Sequence, residues 1–238
     1  MGIGSGLRNL LKRRPVSGAS PQTVAPDAVA APIEAPAAFV EAPPVSDIVT
    51  LAELGDAMRA AKIARVLLVG TPEANRAAGV LLARRLAGAG ASTVLVDFAD
   101  PLGAASDMGA IGWPEDVATM AASPSTFAHA IHRDRSGRTH VLAARLFETS
   151  TPKEAVEEAA AAVLAALSQA YSRSVVVFGE VPFELLPALV DENTALVLPD
   201  DGGLSGQASM RERLALFGFA DLVTLALPAM PVAQAKAA

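Results

Sequence analysis

The sequence predicts a doubly wound α/β domain, with a mainly parallel sheet and helices on both faces. Three observations point to it. Short Val-, Leu- and Ala-rich runs recur between residues 65 and 227 without polar alternation, as strands buried on both faces require. Helical patterns separate these runs, which suits parallel crossover connections. The chain has 238 residues and is 52% hydrophobic but only 4% aromatic, so it is long enough to bury a core, and that core is aliphatic.

The elements follow in order. Residues 1–49 read as a basic N-terminus and a Pro/Ala-rich disordered linker, residues 50–230 as the domain, and residues 231–238 as a flexible tail. The linker carries Pro15, Pro21, Pro26, Pro32, Pro36, Pro43 and Pro44, a composition that buries no core. Thr50-Leu51-Ala52-Glu53 is a capping box that opens a short helix to about Lys62. Arg65–Val69 is an apolar strand, Ala74–Ala89 a helix, and Thr93–Val96 a strand ending in Asp97. Pro114–Met120 and Thr126–Ile131 read as short helices, and His140–Ala143 as a strand. Thr151-Pro152-Lys153-Glu154 is a second capping box, opening a long helix to about Tyr171. Ser174–Phe178, Thr194–Leu198 and Leu222–Leu227 complete the strands, with a helix over Gln207–Phe217.

Composition excludes several chemistries. With no cysteine there is no disulfide framework, Cys-ligated zinc or thiol nucleophile. A net charge of −6 argues against a general nucleic-acid surface. There is no apolar secretory core, no run of membrane-span length, and Gly6 breaks the myristoylation pattern, so a cytoplasmic location is expected. Leu7, Leu10 and Leu11 with Arg8, Lys12, Arg13 and Arg14 form either a basic amphipathic turn toward anionic lipid or a partner, or a solvated tail.

In a parallel sheet ligands bind at the carboxyl ends of strands. The first such turn is Gly70-Thr71-Pro72-Glu73-Ala74-Asn75-Arg76, leading into a helix. A phosphate loop there needs glycines whose N–H groups converge on phosphate, a lysine for the β/γ charge, and a hydroxyl for Mg²⁺. The place is right and the residues are not.

Val66–Pro101 nevertheless resembles the nucleotide-binding segment of bacterial tyrosine autokinases of capsule and exopolysaccharide synthesis, within the MinD/ParA-like deviant P-loop class. Counting back from Gly90 and Asp97, Leu82-Ala83 and Leu86-Ala87 fall on the apolar pairs of the family helix. Glu73 matches the loop Glu and Ala74 replaces a Gly. Asn75 stands at the lysine position, Arg76 at the Ser and Ala77 at the Thr. Asp97 matches the first Asp of the second motif, and Ala99 replaces the second, with Asp100 adjacent. Ile131-His132-Arg133-Asp134 and His140-Val141-Leu142 resemble the segment before the family's third strand. In Val175–Pro182 the metal-holding Asp is replaced by Phe178 or Gly179, and Leu227-Pro228 lies where a base-contacting Asn would follow. The family's C-terminal tyrosine cluster is missing: Tyr171 is the only tyrosine.

The resemblance implies a degenerate P-loop NTPase-like domain with no catalytic residues and no metal. Glu73, Asn75, Arg76 and Asp97 mark a vestigial nucleotide site, with no cofactor expected or, alternatively, weak ATP/ADP binding through Arg76. It implies an accessory role in capsule, exopolysaccharide or adhesive polysaccharide export. The partner would be a membrane polysaccharide co-polymerase or chain-length regulator, at the inner face of the cytoplasmic membrane. Self-association is a further expectation, and a MinD/ParA-like localisation or pilus-assembly factor is the alternative reading.

Other residues have plainer alternatives. Asp97 is a relic metal-activating carboxylate or the cap of a turn. Arg84-Arg85 is a partner contact or a solvated helix face. His129 and His132 have the i, i+3 spacing of metal ligands on one helical face, with no converging third ligand. Asp200-Asp201-Gly202-Gly203 is a cation loop or a turn, and Glu180 a base or part of a chain turn. No Ser/His/Asp order or nucleophile elbow occurs.

Overall fold

Thr50 sets the first helix. Its hydroxyl accepts from Glu53 N at 3.2 Å, and Glu53 Oε2 accepts from Thr50 N at 2.8 Å, closing the expected capping box. Helix α1 (Leu51–Ala61) then ends on Lys62, which takes the left-handed conformation (φ 59°). In front of it lies β1 (Ile48–Val49), an edge strand too short for sequence pattern to reveal. The structure is a computed structural model that describes residues 48–98, 103–109, 114–146, 152–200 and 204–228. Of the N-terminal segment and linker expected over 1–49, the last two residues form β1 and residues 1–47 lie outside the described residues, as do the tail, Thr151 and Asp201-Gly202-Gly203.

Next come β2 (Arg65–Leu68), α2 (Pro72–Gly88), β3 (Thr93–Phe98) and α3 (Ala104–Asp107). They are followed by β4 (Glu115–Asp116), α4 (Val117–Ala122), α5 (Pro124–His129), β5 (Ile131–Arg133) and β6 (His140–Arg145). The last third holds α6 (Lys153–Ala170), β7 (Arg173–Phe178), α7 (Leu186–Leu189), β8 (Thr194–Asp200), α8 (Leu204–Leu216) and β9 (Val223–Ala226).

The described strands form one nine-stranded sheet in the order β1-β9-β8-β2-β7-β3-β6-β4, with β5 on β6. All pairings are parallel except β5–β6. Alternate strand residues serve opposite faces. Val66, Leu68, Leu95, Val175 and Val177 pack under α1, α2 and α3. Leu67, Val94, Val96, Val176 and Phe178 pack under α4, α6 and α7. Each such side chain, once fully buried, contributes about 1.5–3 kcal/mol of transfer free energy. Gly79 lets α2 lie close on β7: a Cβ there would stand 2.4 Å from Val177 Cγ2.

Two sequence readings are corrected. The stretch read as helix over Pro114–Met120 opens as β4, and helical structure begins at Val117, where Asp116 Oδ1 accepts from Ala118 N (2.8 Å) and Thr119 N (3.3 Å). The helix read over Thr126–Ile131 stops at His129, because Ile131 pairs with Leu142 as an edge strand. His129 and His132 therefore share no helical face. The long helix α6 has Pro152 as its N-cap, with an extended ψ of 142° and no side-chain cap bond. The capping box expected there needs Thr151, which lies outside the described residues.

Candidate functional site

The candidate site is the turn joining β2 to α2 at the carboxyl ends of the central strands. Val69 N still bonds to Val197 O (2.9 Å), which prolongs the sheet, and Thr71 already caps α2, its Oγ1 accepting from Ala74 N at 3.3 Å. Three residues thus make the whole connection. A loop that wraps a phosphate needs more chain, with its N–H groups pointing inward and open.

Here the Gly70 N–H is satisfied internally. Asn75 is fully buried, and its Oδ1 accepts from Gly70 N at 2.7 Å. Its Nδ2 donates to Gly70 O (3.1 Å) and to Phe178 O at the end of β7 (3.2 Å). The carboxamide occupies the middle of the turn and ties two neighbouring strands together. Gly70 is needed for this closeness: a Cβ there would lie 3.0 Å from Pro199 Cδ and 3.1 Å from Asn75 Oδ1.

The other expected site residues divide. Glu73 is exposed in the first turn of α2, where its charge favours the helix dipole and opposes an incoming anion. Arg76 is exposed and engaged: Nε and Nη2 each donate to the Asp107 carboxylate at 2.5 Å. Those bonds raise its already high pKa, with smaller support from the Asp107 and Asp97 charges. Asp97 is 2% exposed and accepts from Ala105 N at 2.6 Å, so it caps the first turn of α3 as the plainer reading holds. Asp97 and Arg76 are electrostatic neighbours, Asn75 faces away toward Phe178, and Glu73 stands outside both groups.

Where a metal-holding carboxylate would be, Phe178 is fully buried and stacks on Phe98 with ring centroids 6.0 Å apart. Among the described residues no group of three or more His, Asp or Glu side chains converges on a metal position. The described residues of the turn do not fit a magnesium nucleotide: they include no lysine, and the Gly70 N–H is taken by Asn75. Sequence reasoning missed Asp107, the partner of Arg76, and Pro199, which closes the turn from β8. Both lie far along the chain from the turn, and no local pattern marks them.

No protein-family model matches the chain, and no curated protein matches it at a significant level. Solved structures do share its fold. The VpsO kinase domain superposes with a TM-score of 0.60 at 20% identity, over 75% of this chain and 92% of that one. The kinase domain of the Escherichia coli tyrosine kinase ETK gives 0.60 at 11% identity, over 79% and 78%. The chimerical protein CapA2B2 gives 0.56 at 16% identity, over 75% and 84%. At these identities the likeness establishes the fold, a P-loop NTPase-like α/β domain.

Proposed function

We propose that this chain is a non-catalytic, kinase-like accessory protein of bacterial capsule, exopolysaccharide or adhesive polysaccharide export. It acts by binding a membrane polysaccharide co-polymerase or chain-length regulator. The observation that carries the reading is Asn75, which stands at the lysine position and binds the Gly70 amide and the Phe178 carbonyl. A turn closed by its own side chain uses the Gly70 N–H that a phosphate would accept from, and a Phe178–Phe98 stack stands where the resembled motif has a metal-holding Asp. The motif resemblance over Val66–Pro101 and the shared fold support the pathway. In this reading residues 1–49 are the tether and residues 50–230 the binding domain.

The test has two arms. Calorimetric titration of the full chain with magnesium ATP and ADP gives no binding heat, and incubation with ATP gives neither phosphate release nor phosphotyrosine. Affinity capture from solubilised membranes of the source cell recovers an integral polysaccharide co-polymerase. ATP hydrolysis that disappears on substitution of Asp97 overturns the non-catalytic reading. Capture of pilus or partition proteins in place of the co-polymerase overturns the pathway.

A further inference from the structure

The β5–β6 hairpin carries a concentration of positive charge on an acidic protein. Arg133, Arg135 and Arg138 are all exposed, and among the described residues none of them forms an ion pair. The one acid among them, Asp134, is 3% exposed and neutralised by Arg84, whose Nε and Nη2 each donate to it at 2.9 Å. The net charge of the chain is −6, so this tip is locally opposite to the molecule that bears it.

The tip is also held in place. Asp134 N donates to Thr139 O at 2.9 Å and closes the turn, and Ser136 N donates to Asp134 Oδ1 at 3.0 Å. Arg135 N donates to Met108 O at 3.2 Å, and the Arg135 stem lies against Gly109. β5 pairs only with β6, so the cations sit at a sheet edge. Their ordering is provided by the fold before any partner arrives, which reduces the entropic cost of binding.

We propose that this hairpin docks the domain on an anionic bilayer surface. Arginines near an anionic leaflet are attracted within about one Debye length, roughly 10 Å at 0.1 M salt. A plane met by this edge of the domain can meet the three arginines together, and the nearby exposed acid Asp107 is paired with Arg76. A nucleic acid is the less suitable polyanion: the hairpin has no exposed aromatic for base stacking, and Phe127 beside it packs on the core. The proposal stands whether or not the chain serves polysaccharide export.

The experiment is flotation of the full chain with vesicles of phosphatidylcholine alone, or with about one third phosphatidylglycerol. The expected result is binding to the anionic vesicles only, and release when salt rises from about 0.1 M to about 0.5 M. The triple variant Arg133→Gln/Arg135→Gln/Arg138→Gln partitions at least about tenfold less. The matching Arg→Lys triple variant, which keeps the charge, stays bound, and Arg59→Gln on α1 changes nothing. Equal binding of the Gln triple variant and the wild type overturns the proposal. So does equal binding to neutral vesicles, release of the Lys variant, or tighter retention on duplex DNA at matched phosphate concentration.

Discussion

The Asn75 side chain joins α2 to the end of β7, its Nδ2 donating to Phe178 O at 3.2 Å while its Oδ1 takes the Gly70 amide at 2.7 Å. That oxygen stands in the role a phosphate oxygen has in a nucleotide-binding turn, as acceptor for a converging N–H. Asn75→Ala leaves the buried Gly70 N–H without a partner, at a cost of about 1–3 kcal/mol. Asn75→Asp keeps the acceptor but loses both donations and sets a carboxylate against two carbonyls, so it costs more than the alanine. Urea denaturation measures both. Asn75→Lys supplies the lysine of the resembled motif without the cradle and is expected to gain no nucleotide affinity. ATP binding by that variant would show that the site is one residue, not one fold segment, away from function.

How much of this was legible in the sequence depends on range. Strands such as Ser174–Phe178 and caps such as Thr50–Glu53 are local signals, and both stand as read. Asn75 at a lysine position carried the expectation of a vestigial site, but not that the carboxamide fills the turn, because Phe178 lies 103 residues on. Arg76 read as a free cation for an anion, and only the fold brings Asp107 to it. The two-residue strands β1 and β4 carry no periodicity of their own and exist because a neighbouring strand offers a ladder.

The Arg84–Asp134 pair gives an acid-side prediction. Hydrogen bonds from Arg84, helped by the Ser136 amide, hold the Asp134 carboxyl below its ordinary 3.8, against the opposing effect of burial. A depressed folded-state pKa contributes stability that is present above 3.8 and is lost as pH falls below it toward the folded value. Asp134→Asn is therefore expected to lower stability at neutral pH by about 1–2 kcal/mol, a range kept modest because Arg84 is one-third exposed. Its stability should also fall less steeply between neutral and acid pH. Urea midpoints across that interval check both, and parallel pH profiles for variant and wild type would remove Asp134 from the acid transition.

Arg65 clasps two helices to the start of β2. Its Nη1 donates to Leu189 O (3.0 Å) and Asp191 Oδ2 (3.3 Å), and its Nη2 to Ser168 Oγ (3.0 Å) and Leu164 O (3.4 Å). The guanidinium is buried, and desolvation lowers its pKa despite the Asp191 charge. Arg65→Ala removes stem packing and charge together, and is expected to cost about 3 kcal/mol. Arg65→Met keeps the stem and removes the buried charge, so it should cost clearly less. A thermal melt series separates them, and equal losses would place the effect in the hydrogen bonds and not in the packing.

Tyr171 is the chain's only tyrosine, and the structure gives it a local task. Its hydroxyl lies 2.7 Å from His140 Nδ1, and the two rings meet edge-on with centroids 5.5 Å apart. It closes the end of α6, where its N–H donates to Leu167 O at 2.8 Å. Tyr171→Phe keeps the ring and loses the hydroxyl bond, so a loss of about 1 kcal/mol is expected. Burial raises the phenol pKa above its ordinary 10.0, so absorbance titration should find a midpoint above that value. A raised folded-state pKa contributes stability that is complete below 10.0 and lost as pH rises through the folded value, and Tyr171→Phe should abolish that alkaline component. Phosphorylation would place a dianion where His140 now meets a neutral hydroxyl at a half-buried helix end, which works against the site as an autophosphorylation target. Mass spectrometry of the chain purified from its own cells checks this, with unmodified Tyr171 as the expected result.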